Sequence, residues 1–78
     1  MSKKVEVATR FGIRLRELRL AAGLTQAELA EGAGVSVNFI SLMERGIKSP
    51  TLNTIERLST VLKVPIIELF RFDSSSSD

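Results

Sequence analysis

Residues 23–46 read GLTQAELAEGAGVSVNFISLMERG, and the fold turns on how this stretch is punctuated. Thr25 and Glu28 have capping-box spacing, in which the hydroxyl takes the third residue's amide and the carboxylate returns to the cap's own amide. Leu29 and Ala30 then face inward on a helix that is short, because Gly32 weakens it and Gly34 permits a left-handed turn at little steric cost. Val35 follows as a buried plug, Ser36 caps the next helix, and that helix ends at Arg45 with Gly46 beyond it. Two short helices joined by a glycine-containing turn make a helix-turn-helix unit.

Winding the second of these helices at about 100° per residue puts Phe39, Ile40, Met43 and Glu44 on one side. Val37, Asn38, Ser41, Leu42 and Arg45 lie on the other. A solvated face is rich in Lys and Glu, yet this one carries a single charge. A major groove, about 12 Å wide, presents hydrogen-bonding base edges and thymine methyls on its floor and phosphates on its rims. Val37, Asn38, Ser41 and Leu42 suit that floor, and Arg45, with Lys48 in the next loop, suits a rim.

Outward from this corner, residues 7–22 read as a helix whose apolar stripe is Phe11, Leu15, Leu18 and Ala22, closed by Gly23. Arg10, Arg14 and Glu17 lie off the stripe, Arg19 sits at its edge, and Ile13 and Leu20 point roughly opposite. Thr51 caps a fourth helix carrying Leu52, Ile55, Leu58, Val61 and Leu62. Pro65 breaks it and serves as the start of a short fifth helix over 66–72. No run alternates with period two. The expected fold is all-α: a compact five-helix domain over 7–72, preceded by an N-terminal arm over 1–6 and followed by a disordered polar tail over 73–78.

At 78 residues the chain has room for one modest core, and its 44% hydrophobic content is that of a globular protein. Without cysteine there is no disulfide or thiolate metal site, which suits a reducing cytoplasm. Histidine and tyrosine are also absent, so the usual nucleophiles, ligands and proton shuttles are mostly missing. The expectation is therefore no enzyme, no catalytic residue, no metal and no cofactor. MSKKVEVATR lacks the apolar core of a signal peptide, and nothing approaches a membrane span. Residues 1–25 hold six Lys/Arg against two Glu, and residues 26–78 five against seven acids. The resulting dipole points to an anionic partner on the N-terminal side.

The in-register set Leu24-Thr25-Gln26, Glu28-Leu29-Ala30, Gly34-Val35-Ser36, Ile40-Ser41 and Glu44-Arg45-Gly46, followed by SPTLNTIERLSTVLKVPIIELF, resembles the Xre/Cro-type phage-repressor helix-turn-helix family. The NFISLMERG wording and small size also resemble controller proteins of restriction–modification systems. The resemblance implies a lambda-repressor-like DNA-binding fold, with Gln26 hydrogen-bonding a phosphate at a helix N-terminus. It implies that Ser36, Val37, Asn38 and Leu42 approach bases, with Ser41 beside them, and that Arg19 pairs with Glu44 to clamp the first helix to the third. Three positions depart from the family pattern: Val37 stands where many members have Gln or Arg, Gly32-Ala33 makes a poorer helix end, and Ile67 replaces a polar residue.

Arg14 and Lys48 are read either as phosphate contacts or as solvated cations. Ile66, Leu69 and Phe70 can complete the core, but Ile67 and Phe72 cannot all turn inward with them. Ile66, Ile67, Phe70 and Phe72 are therefore the expected dimer interface. Together these readings predict a homodimeric, sequence-specific transcription regulator on double-stranded DNA, with no membrane contact and no small-molecule effector. Three or four phosphate contacts per subunit give a log–log salt slope of about −5 to −7 for the dimer. The alternative is an antitoxin or other protein-interaction module built on the same domain.

Overall fold

Side-chain caps and left-handed stops set where each helix begins and ends. A computed structural model describes residues 6–72, so the expected arm, apart from the backbone of Glu6, and the expected tail lie outside the described residues. The elements are α1 Glu6–Ala21, α2 Gln26–Ala33, α3 Val37–Glu44 and α4 Leu52–Leu62, followed by a 3-10 helix Ile66–Phe70. At the start of α2 the Thr25 hydroxyl accepts from the Glu28 amide at 3.0 Å, and the Glu28 carboxylate accepts from the Thr25 amide at 2.9 Å. Ser36 and Thr51 cap α3 and α4 in the same way, accepting from the amides of Phe39 and Thr54.

The turn between α2 and α3 needs a left-handed residue, and Gly34 supplies it at φ 71°. Beyond it the Val35 amide reaches back to the Ala30 carbonyl at 3.0 Å, the long bond of a Schellman stop. Gly46 closes α3 likewise, with the Ile47 amide on the Leu42 carbonyl at 2.9 Å. At the end of α4 the left-handed position falls on Lys63, φ 60°, the one such non-glycine among the described residues. Val35 is half-buried against the core rather than fully enclosed.

Phe11, Leu15, Leu29, Ile40, Met43, Leu58 and Leu69 form the centre of the core. Two glycines let the helices close on it. A Cβ at Gly12 would press on the carbonyl oxygen of Met43 and lie 2.7 Å from that of Glu44, so α1 and α3 meet backbone to backbone there. A Cβ at Gly32 would lie 2.9 Å from Val61 Cγ2, so the residue that weakens α2 also admits α4.

The expected fifth helix over 66–72 is corrected to a five-residue 3-10 helix, making four α-helices and one tighter turn. The reason lies in where one carbonyl is spent. An α-helix would give the Glu68 carbonyl to the amide of Phe72. Instead the Arg71 amide and Arg14 Nε take it, at 3.3 and 2.8 Å, and the Phe72 amide turns to Phe70. Of this segment only Leu69 is buried, while Ile66 is exposed rather than completing the core and Phe72 packs half-buried against it.

Candidate nucleic-acid interface

The inner side of α3 is fixed by packing and by one ion pair. Ile40 and Met43 are fully buried, Phe39 packs against the core, and Glu44 is buried beside Arg19. Arg19 Nε donates to Glu44 Oε2 at 2.6 Å and its Nη2 to Oε1 at 3.1 Å, while Nη1 donates to the Leu24 carbonyl at 2.9 Å. A third donor reaches the same carboxylate: Gln26 Nε2, at 3.0 Å from Oε1. Arg19 on α1, Gln26 on α2 and Glu44 on α3 thus form one network that sets the angle of the two-helix corner.

The outer side of α3 is left bare. Val37 is 46% exposed, and Ser36, Asn38 and Arg45 are exposed, while Ser41 and Leu42 are half-buried at the margin of the face. Lys48 is exposed in the following loop, and neither it nor Arg45 makes an ion pair among the described residues. Ser36 commits one lone pair to its cap, which leaves its hydroxyl proton available to an outside acceptor. Gln26 gives one amide hydrogen to Glu44 and keeps a second at the exposed start of α2. The arrangement is a short apolar and amide-bearing strip, with Arg45 at the C-terminal end of α3 and the Ser36-capped N-terminus of α3 at the other. It can offer methyl contacts and neutral hydrogen bonds inside, and anion contacts outside.

Two groups of expected residues stand apart from this strip. Arg14 is held within the chain: Nη2 donates to Glu68 Oε1 at 2.8 Å, Nε to the Glu68 carbonyl at 2.8 Å and Nη1 to Glu17 at 3.2 Å. The phosphate role expected of Arg14 therefore meets a side chain already engaged. Ile66, Ile67 and Phe70 are 47%, 64% and 41% exposed on the 3-10 helix, whereas Phe72 is largely withdrawn. Phe70 lies 5.4 Å from the Phe11 ring and 6.2 Å from that of Phe72. Gln26's bond to Glu44, the role of Glu68 and the close approach at Gly12 were not anticipated. Gly12 alone left a local signal, a glycine in the middle of an apolar helical stripe.

No helix among the described residues is long and apolar enough to cross a membrane. The sequence model of the helix-turn-helix family HTH_3 matches residues 15–69. The chain is similar to the transcriptional repressor RstR of the cryptic phage CTXphi from Vibrio cholerae, at 38% identity over 68 residues, 87% of this chain and 61% of that one. It therefore spans less than two thirds of that repressor's length. Among solved structures it is similar to the restriction-modification controller protein C.AhdI from Aeromonas hydrophila, with TM-score 0.79 and 41% identity over 81% of this chain and 96% of that one. SinR, solved in a complex with SinI, is similar at TM-score 0.73 and 32% identity, over 86% of this chain and 71% of that one.

Proposed function

Because this chain belongs to the HTH_3 helix-turn-helix family, we propose that it is a transcription regulator that binds a pseudo-palindromic operator as a homodimer. The observation that carries this reading is the bare, almost uncharged outer face of α3, with Arg45 at its C-terminal end, Lys48 in the loop beyond, and Gln26 held on the neighbouring Glu44. Asn38 reads adenine through N6 and N7, worth about 1–3 kcal/mol of discrimination, and Val37 and Leu42 meet thymine methyls. Ser36 and Ser41 bond base edges or adjacent phosphates. Gln26, Arg45 and Lys48 hold the backbone, with the α2 N-terminus adding its dipole.

A second copy is the occupant of the exposed apolar patch Ile66, Ile67 and Phe70. Glu68 and Arg71 border that patch already paired with each other at 2.9 Å, so its rim carries no uncompensated charge against a second copy. Beside it a groove of about 260 Å³, lined by Val7, Phe11, Pro50, Ile55 and Phe70 together with Lys48, offers a seat for a partner side chain. Two copies carry their α3 helices about 34–36 Å apart, one turn of the duplex. The likeness to a phage repressor and to a restriction-modification controller protein supports repression or restriction-modification control as the setting.

Salt dependence tests the interface. With Arg14 engaged, Arg45 and Lys48 from two subunits neutralise four phosphates, and log affinity falls with log salt at a slope of about −4. An affinity flat between low and moderate salt would contradict the reading. The protein-interaction alternative draws on the SinR–SinI complex, in which a relative meets another protein. Mobility shift of the isolated chain on its own upstream DNA, against co-purification of a neighbouring gene product, separates the two.

A further inference from the structure

The proposed self-association face hangs on a segment with little stability of its own. The 3-10 helix has five residues, has no side-chain cap, and buries Leu69 alone. Short helices of this type have poor hydrogen-bond geometry and do not fix their own register. Arg14 of α1 supplies what is lacking. Its guanidinium grips Glu68 twice, at the backbone carbonyl and at the carboxylate, both at 2.8 Å. Arg71 Nε closes on the second carboxylate oxygen at 2.9 Å. Glu68 directly follows Ile67 and lies two residues before Phe70, so any slip of Glu68 carries both apolar side chains with it. The planar fork suits this double grip, whereas a lysine ammonium lacks the geometry to span carbonyl and carboxylate together.

We propose that Arg14 is a positioning residue for self-association, setting through Glu68 the register in which Ile66, Ile67 and Phe70 meet a second copy of the chain. This rests on the dimer reading above. Arg14 then supports DNA binding through assembly and not through a phosphate, although its charge and its place on the basic N-terminal part of the chain suggest the opposite.

Sedimentation equilibrium of the full chain, with helix content by circular dichroism, tests this. Arg14→Gln is expected to weaken dimerisation about tenfold, and Glu68→Ala, which loses only the side-chain half of the grip, about threefold. Arg14→Lys does not restore it, and the double variant loses no more than Arg14→Gln alone. Helix content and the per-subunit salt slope on random-sequence duplex stay as in the parent chain. Unchanged dimerisation in both single variants overturns the proposal, as does a salt slope for Arg14→Gln shallower by about 0.9 per subunit, the mark of a lost phosphate contact. If Arg14→Gln fails to fold, Glu68→Ala alone decides. A parent chain that is monomeric at all concentrations defeats the dimer reading itself, before any substitution is made.

Discussion

Removing the Glu44 side chain is the most informative single perturbation of the two-helix corner. In Glu44→Ala, Arg19 loses two of its three hydrogen bonds and keeps only the Leu24 carbonyl. Its side chain is 9% exposed, so the stranded charge has little access to water. Leaving one member of a buried pair uncompensated costs about 3–5 kcal/mol. We take about 3, because the Leu24 carbonyl remains and the vacated space admits water. A domain of 78 residues has about 4–12 kcal/mol in total, so the loss consumes much of it. In urea, with a slope near 1 kcal/mol/M for so small a chain, the midpoint should fall by about 3 M at unchanged slope. The double variant Arg19→Met/Glu44→Met should recover to within about 1 kcal/mol of the parent, since replacing both members of a buried pair by apolar groups is nearly neutral. It should still bind DNA less tightly, because Gln26 loses the acceptor that orients its amide. A Glu44→Ala cost below about 1 kcal/mol, the value of a surface pair, would mean that Arg19 is not stranded in a buried site. So would a double variant less stable than either single.

Asn38→Ala should weaken operator binding by about 1–3 kcal/mol and random-duplex binding hardly at all, as read by mobility shift; equal losses on both would show that no base is read there. Gly12→Ala should cost about 3 kcal/mol by urea denaturation, because the added methyl meets two backbone oxygens and not a movable side chain, and a neutral result would mean α1 and α3 do not touch there. Lys63→Gly should raise stability by about 0.5–1 kcal/mol by relieving a left-handed lysine, and a loss would argue against that backbone conformation. The Glu68 carboxyl is held below its ordinary value of 4.5, first by the hydrogen bond from Arg71, then by the charge of Arg71 and the bond and charge of Arg14, with partial burial opposing. A depressed folded-state value means its contribution is complete above about pH 4.5 and is lost as pH falls through the lower one. Glu68→Gln should therefore flatten the acid limb of the stability curve, and superimposable limbs would contradict the assignment.

What could be read from the sequence was what its near neighbours decide. Thr25 with Glu28, Ser36 with Phe39 and Thr51 with Thr54 each act across three residues, so the starts of α2, α3 and α4 are visible as spacing. The bare side of α3 was legible because a reading face is short of the charges that mark solvent. Arg14 and Glu68 are 54 positions apart, and no period in the sequence connects them. That distant bond diverts the Glu68 carbonyl and tightens the last turn, which is why an apolar run after Pro65 looked α-helical and is not. Gly12 was present as a signal without an address: a mid-helix glycine announces a close approach but not which backbone arrives. Gln26 is the intermediate case, since its place at a helix start suggested an anion, while its bond to Glu44 depends on how α2 and α3 cross.

Selecting bound sequences from a random duplex pool, with the parent chain and Asn38→Ala in parallel, tests most directly whether the outer face of α3 reads bases. The expected result is a consensus of two inverted half-sites about 10–10.5 base pairs apart centre to centre, with an adenine preference that vanishes in Asn38→Ala. A pool that emerges without enrichment, or an identical consensus from both proteins, would contradict it.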